Sequence, residues 1–529
     1  MTPVSILTLD GVAFALPDGR QLFSDLNERF DQRRTGLVGR NGVGKTVLAQ
    51  ILAGRLQPTA GHCRTVGRVH YLGQQLASPD ATVAQLAQID EGLDALQRIE
   101  AGSTDQADFD TLGERWDLRE RLQAQLARHG LGQLDADRRV TTLSGGQAMR
   151  VGLLGAFLSE ADYLILDEPS NHLDTASRAV LLELISQWQK GLLVISHDRE
   201  LLEHMQRIVE LSTLGLRSYG GNYSVYARCK TEECTQAERT LERLKLERQR
   251  QVRELQQQRE RLERRQSRAS REARDTNQAK ILLDRKQQRS EVTAGKQQRD
   301  HQVARQAMSL KVREAARQVE ENSAIVLHAP APVRPSGTPL VCLREVQLPF
   351  AAPHQLPLNR TLYSGERIAL TGANGSGKST LLKVIAGQLQ PRAGQCEVRG
   401  NVAYLDQQCS QLPVAQSVLG YLRECTHSLD ESALRTRLAQ LGLDAQRVDL
   451  PSGLLSGGER LKALLAGVLY GDTPVQLLLL DEPGNHLDLP SLTALEAMLQ
   501  QYRGALLVAS HDRVFLQQLN VDSELHLSN

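Results

Sequence analysis

Residues 34–46 read Arg34-Thr35-Gly36-Leu37-Val38-Gly39-Arg40-Asn41-Gly42-Val43-Gly44-Lys45-Thr46, a short apolar strand that breaks into glycines and ends on a lysine and a threonine. An apolar helical run, Val47-Leu48-Ala49, follows at once. This is the GxxxxGK[ST] pattern in the strand, loop and helix setting that gives it meaning. Glycines let the backbone wrap so that successive N–H groups face a phosphate, and the helix N-terminus adds its dipole. Lys45 is suited to the β/γ-phosphates, and the Thr46 hydroxyl to Mg²⁺. The stretch predicts an α/β nucleotide-binding fold.

Working outward, the chain before it alternates as a strand (Ile6, Leu7, Leu9, Val12, Phe14) and turns at Pro17-Asp18-Gly19. After it, Tyr71-Leu72-Gly73-Gln74 closes another strand. Residues 75–142 then read as a polar helical lobe, with Leu93, Leu96, Ile99, Leu118, Leu122 and Leu126 at three-to-four spacing. Leu143-Ser144-Gly145-Gly146-Gln147 opens a further helix, where a serine hydroxyl and free N–H groups make a second phosphate-binding surface. Tyr163-Leu164-Ile165-Leu166-Asp167-Glu168-Pro169 is an apolar strand ending in two carboxylates, a costly arrangement to bury without a task. Asp167 suits a water-mediated hold on Mg²⁺, and Glu168 suits polarising an attacking water. A second apolar strand, Leu192 to Ser196, ends at His197-Asp198-Arg199 and makes His197 a candidate γ-phosphate contact.

The series recurs. The second half carries Gly372-Ala373-Asn374-Gly375-Ser376-Gly377-Lys378-Ser379, then Tyr404-Leu405-Asp406-Gln407 and Leu455-Ser456-Gly457-Gly458-Glu459, then Leu477 to Leu480 before Asp481-Glu482-Pro483, and His511. From Asp167 to His197 and from Asp481 to His511 the interval is 30 residues in both halves, and from Ser144 to Asp167 and Ser456 to Asp481 it is 23 and 25. From Gly39 to Ser144 it is 105, but from Gly372 to Ser456 only 84, so the first copy holds extra residues in its helical lobe.

These residues resemble the nucleotide-binding domain of the ATP-binding-cassette superfamily: Walker A at 39–46, signature at 143–147, Walker B at 163–168 and switch histidine at 197. The resemblance implies Q-loop roles for Gln74 and Gln407, with metal contact, and makes Phe14 a candidate for stacking on adenine. It extends the ATP contacts to Asn41, Gly42, Gly44 and Val47 in the first copy, and to Asn374, Gly375, Gly377, Ser379 and Thr380 in the second. It also implies that each cassette lacks a cover that its partner's signature supplies. Site one would join Lys45, Thr46, Asp167, Glu168 and His197 to Ser456, Gly457 and Gly458. Site two would join Lys378, Ser379, Asp481, Glu482 and His511 to Ser144, Gly145 and Gly146. The departures are Glu459 where glutamine is usual, and Gly484 where the first copy has Ser170.

Between the copies lies the segment from Arg228 to Arg317, with no proline, one glycine, and 25 Lys and Arg against 14 Asp and Glu. Its net charge of +11 leaves 38 against 48 for the rest of the chain, so the near-neutral total hides a basic segment between two acidic bodies. Two helical runs are expected, 224–272 and 292–321. A thin apolar stripe (Leu241, Leu244, Leu255, Leu262; Val303, Leu310, Val312, Val319) should seam them into an antiparallel hairpin. The densest charge falls from Arg259 to Arg289, where phosphate backbones would be attracted, and the scarcity of aromatics favours duplex or folded RNA over single strands. Tyr219-Gly220-Gly221-Asn222-Tyr223-Ser224-Val225-Tyr226 resembles the junction of the ABC-F family, twin cassettes without a membrane domain. That resemblance implies an ATPase acting on the ribosome, its linker approaching tRNA and rRNA.

The expected domains are 1–222 and 340–529 for the cassettes, 223–325 for the linker and 326–339 for a proline-rich hinge. No apolar run approaches the ~20 residues of a membrane span. No signal peptide is evident, and seven scattered cysteines suggest neither a disulfide framework nor a zinc site. A cytoplasmic monomer with an internal cassette dimer is the expectation. The alternatives are the ATPase subunit of an ABC transporter, which would pair with a membrane domain, and a DNA-repair ATPase, which would carry zinc or coiled-coil insertions inside a cassette.

Overall fold

The structure, a computed structural model, describes residues 6–73, 80–159, 161–171, 173–275, 306–316, 337–350, 356–407, 409–443, 447–485 and 487–527. The chain divides into two units, Met1–Tyr226 with Ala324–Asn529, and Ala227–Ser323.

In the first unit two parallel sheets stand at the centre of the two cassettes. One runs Val69–Leu72, Tyr163–Asp167, Gly191–Ile195, Arg34–Val38, Arg207–Ser212 and Gly215–Gly220, with only the last pair antiparallel. The other runs Val402–Leu405, Leu477–Asp481, Ala505–Ala509, Arg367–Gly372 and Ser523–Leu527, parallel throughout. Tyr163–Asp167 and Leu477–Asp481 are buried at every position, as continuous apolar strands covered on both faces must be. Each cassette adds a three-stranded antiparallel sheet, Gln21–Phe30 beside Ile6–Ala15 beside Ala60–Val66, and Leu358–Tyr363 beside Pro339–Gln347 beside Ala393–Val398. Leu7, Leu9 and Phe30 from the first of these sheets share a core with Leu48 and Leu52 of the helix behind the glycine loop.

The helical lobes differ as the intervals predict. Among the described residues the first contains Val83–Leu86, Asp90–Glu100, Gln106–Leu112 and Leu118–Arg128, and the second only Val418–Cys425 and Glu431–Gln440. Leu93, Leu118, Leu122 and Leu126 build one core of the longer lobe, while Leu96 joins Ala95 and Leu112 in another.

In the second unit the helix Tyr223–Asp275 supplies Leu241 and Leu244 to a seam with Val312, Ala315 and Ala316 of the helix at 306–316. Leu310, expected in this stripe, is exposed; it lies two residues before Val312, off the helical repeat that would put both on one face. Val303, Val319 and the positively charged residues from Lys280 to Arg289 lie outside the described residues.

Candidate functional site: two nucleotide loops facing across the cassettes

Each glycine loop leaves the C-terminal end of a central strand and enters a helix, Lys45–Leu52 or Lys378–Ile385. Gly39 and Gly372 hold φ at 154° and 149°, and a Cβ there would stand 2.3 Å from the Leu211 carbonyl oxygen or 2.5 Å from that of Leu527. Only glycine lets the backbone pass. Gly42 and Gly375, also at positive φ, have open space where a Cβ would be. Lys45 is buried with its Nζ donating to the carbonyls of Gly39 (2.8 Å) and Arg40 (3.1 Å). Lys378 does the same with Gly372 (2.9 Å) and Ala373 (3.0 Å).

The paired acids stand at the ends of their strands. Tyr71 donates to Asp167 Oδ2 at 3.1 Å and Tyr404 to Asp481 Oδ2 at 3.2 Å, positioning contacts that the sequence motifs contained without revealing. Burial raises the pKa of Asp167, against the hydroxyls of Thr46 and Tyr71 and the charge of Lys45; Asp481 is raised in the same way against Ser379 and Tyr404. Asp167 Oδ1 and Glu482 Oε1 are buried without a hydrogen-bond partner among the described residues. A cradle open at Gly42 and Gly375, a buried ammonium and such carboxylate oxygens fit a polyphosphate and a divalent cation.

Glu168 and Glu482 both sit in the left-handed region, at φ 51° and 49°. A non-glycine residue there costs about 1–2 kcal/mol, and the same strain at both sites places both carboxylates alike. Each backbone N–H is held by the neighbouring strand, Glu168 by Ile195 and Glu482 by Ala509, both at 2.9 Å. Desolvation pushes Glu168 up to about 8 and Glu482 up to about 7, and in both cases the loop lysine opposes the rise. His197 Nε2 lies 3.4 Å from Glu168 Oε1, whereas His511 Nε2 lies 3.7 Å from Glu482 Oε1 and 3.1 Å from both Lys378 Nζ and Asn374 Oδ1. Burial lowers the two imidazoles to about 3 and about 4, so both are neutral.

The two halves meet at these loops. The Asn41 N–H donates to Asp488 Oδ2 of the second cassette at 2.9 Å, and the Asn374 N–H hydrogen-bonds Asp174 of the first. Asp174 and Asp488 also cap the helices Thr175–Gln187 and Leu489–Gln501 through Ser177 and Ser491. A cavity of about 930 Å³ brings Lys45, Thr46, Val47, Asp167, Glu168 and His197 together with Ser456 and Gly457, and Gln407 lines it too. Gly458 is buried in its helix, and Gln74 lies outside the described residues. Leu16, Arg20 and Leu22 line the cavity on the first cassette's side, while Phe14 packs on that cassette's core beside Phe23.

Both signature serines cap a helix with a reciprocal box: Ser144 accepts from the Gln147 N–H at 3.2 Å, and Ser456 from the Glu459 N–H at 3.3 Å. Glu459 gains an ion pair with Arg447, which gives its charge a partner. Ser170 lies 3.4 Å from Ser196 through their hydroxyls; Gly484 has no side chain for that contact.

The sequence pattern of the ABC transporter family matches residues 28–171 and 356–485. The tylosin resistance ATP-binding protein TlrC of Streptomyces fradiae is 32% identical, covering 97% of this chain and 95% of its own length. ABC transporter F family member 5 of Arabidopsis thaliana is 30% identical over 92% of this chain and 70% of its own. Among solved structures, the archaeal ribosome recycling factor aABCE1, in its complex with the stalk protein aP1, superposes with a TM-score of 0.57 at 18% identity, covering 98% of this chain and 87% of that one, a likeness of fold. No helix among the described residues is long and apolar enough to cross a membrane. With two matched cassettes on one polypeptide and relatives that align along nearly all of it, the chain belongs to the ABC-F family of ATP-binding proteins.

Proposed function

We propose that this protein hydrolyses ATP at two composite sites between its cassettes and acts on the ribosome, with the basic linker as the effector that reaches toward rRNA and tRNA. The observation that carries the reading is the crossed pair of contacts, Asn41 to Asp488 and Asn374 to Asp174, through which each nucleotide loop is completed by the other half. The linker adds a charge of +11 to a chain otherwise acidic, the sign that attracts a phosphate backbone. The cassettes occupy 1–222 and 340–529, the linker 223–325 and the hinge 326–339.

In this reading Lys45 and Lys378 leave their carbonyl partners for the β/γ-phosphates, and the loop N–H groups hold the rest. Thr46, Asp167 and Gln74 at one site, and Ser379, Asp481 and Gln407 at the other, would hold Mg²⁺, which when bound would neutralise phosphate charge. Glu168 and Glu482 orient water and accept its proton, and the neutral His197 and His511 face the terminal phosphate. The signature residues Ser456, Gly457 and Gly458 cover site one, and Ser144, Gly145 and Gly146 cover site two. Closure then depends on the phosphate that both halves grip. The protein works in the cytoplasm as a monomer.

The test is gradient sedimentation of the Glu168→Gln/Glu482→Gln protein with ATP and ribosomes. Trapped protein should travel with the ribosomal fractions, and its absence there removes the ribosome while sparing the ATPase. The name of the relative TlrC directs a second assay, growth of a deletion strain on tylosin and a panel of ribosome-targeting drugs.

A further inference from the structure

The residues after the two switch histidines are the same, Asp198-Arg199 and Asp512-Arg513, but their surroundings are opposite. Arg513 is exposed. Arg199 is 7% exposed and lies against the second cassette, where its Nη1 and Nη2 donate to the two oxygens of Glu496 at 2.8 and 3.1 Å. Nη2 also donates to Thr493 Oγ1 at 3.2 Å, and Glu496 is itself 5% exposed. A planar guanidinium bound at both prongs is fixed in direction as well as place. Among the described residues Arg513 has no such partners. Ala179 and Leu182 occupy the positions 314 residues before Thr493 and Glu496, the interval that also separates Asp167 from Asp481.

A third neighbour completes the arrangement. The Arg199 guanidinium carbon lies 6.0 Å from the ring of Tyr223, the first residue of the helix Tyr223–Asp275. That helix is rooted in the first cassette. Tyr226 and Tyr219 each donate to Glu210 at 3.2 Å and meet edge to face at 5.1 Å, and Ser224 bonds Glu203. One side chain, two residues beyond His197, therefore touches both the second cassette and the root of the linker helix.

We propose that Arg199 is a positioning residue that passes cassette closure to the root of the linker. This rests on the reading above that nucleotide closes the cassettes. With the cassettes closed, Glu496 and Thr493 hold the guanidinium and thereby fix its bearing on Tyr223. With them apart, those acceptors are gone and the guanidinium is free to turn from the ring. The device stands in the half whose sheet leads into the linker, and its exposed counterpart Arg513 plays no such part.

The test is amide hydrogen exchange over residues 223–241 in the full-length Glu168→Gln/Glu482→Gln protein, with and without ATP. ATP should slow exchange there by about tenfold, the measure of a local opening made rarer. Arg199→Met, and Arg199→Met/Glu496→Met, which leaves no unpaired buried charge, should still bind a fluorescent ATP analogue but show less than about twofold slowing. Arg513→Met should behave as the parent. Slowing that survives in the double variant, that is lost equally in Arg513→Met, or that is absent from the parent overturns the proposal. No ribosome is in the tube, so the coupling can hold where sedimentation fails, and the reverse.

Discussion

The two cassettes carry the same motifs, yet among the described residues the first makes connections that the second does not. Its sheet runs on through the strand Gly215–Gly220 into the long helix. Its arginine after the switch histidine is buried against its neighbour, and the second's is exposed. The two lysines bond the same pair of loop carbonyls, while the histidines differ: His511 lies within 3.1 Å of Lys378 and Asn374, and His197 lies 3.4 Å from Glu168. Duplication preserved the phosphate grip and let its surroundings diverge. Two like nucleotide loops in unlike surroundings are the outcome.

That asymmetry is open to direct attack. The largest effect is expected from the glutamates. Glu168→Gln/Glu482→Gln should slow ATP hydrolysis by roughly 10²–10⁴-fold, with nucleotide binding retained. The single variants, measured by single-turnover phosphate release, should differ from each other, and identical rates would make the sites equivalent.

A second break is structural. Gly155 and Gly467 stand at the same place in the two signature helices, each eleven residues after its signature serine. An added Cβ at Gly155 would come 2.1 Å from the Ala87 carbonyl oxygen, a backbone atom, whereas at Gly467 it would meet the Tyr421 ring at 2.8 Å. Gly155→Ala should therefore destabilise by about 2–3 kcal/mol, and Gly467→Ala by about 1 kcal/mol because a side chain can yield. Denaturant unfolding of each variant checks it; equal losses would mean that the two lobes pack alike.

The smallest effect concerns pH. A base must be ionised to accept a proton, and Glu168 and Glu482 are pushed up to about 8 and about 7. With only site one active, in Glu482→Gln, kcat/KM for ATP should rise with pH until about 8; with only site two active, in Glu168→Gln, until about 7. At pH 7 that difference amounts to less than about tenfold. Coincident profiles would erase the distinction, and a flat profile between pH 6 and 8 would take both glutamates out of the proton path.

Much of this was legible in the chain before any fold was known. Walker A, signature and Walker B declare themselves because each is a local phrase: glycines where φ must be positive, serine where a helix begins, carboxylates where an apolar strand stops. The unequal lobes follow from two intervals. What stayed hidden is non-local. Arg199 and Glu496 are 297 residues apart, Asn41 and Asp488 are 447 apart, and no periodicity joins such pairs. A partial signal existed for the first: laying one half over the other at an offset of 314 sets Glu496 against Leu182 and Thr493 against Ala179, an imbalance that only a structure turns into a contact. The cavity residues Leu16, Arg20 and Leu22 were missed because neither a turn nor the start of the strand after it carries a statement of what it will face. Leu310 is exposed because two residues from Val312 is more than half a helical turn, which carries it off the buried stripe.

The backbone at Glu168 and Glu482 has a longer consequence. Glycine would relax both positions, so the carboxylates that we propose as bases persist against a slope of stability. A population evolved in the laboratory for heat resistance alone should lose these two acids early. Its hardiest descendants would keep the shape of an engine that no longer turns over.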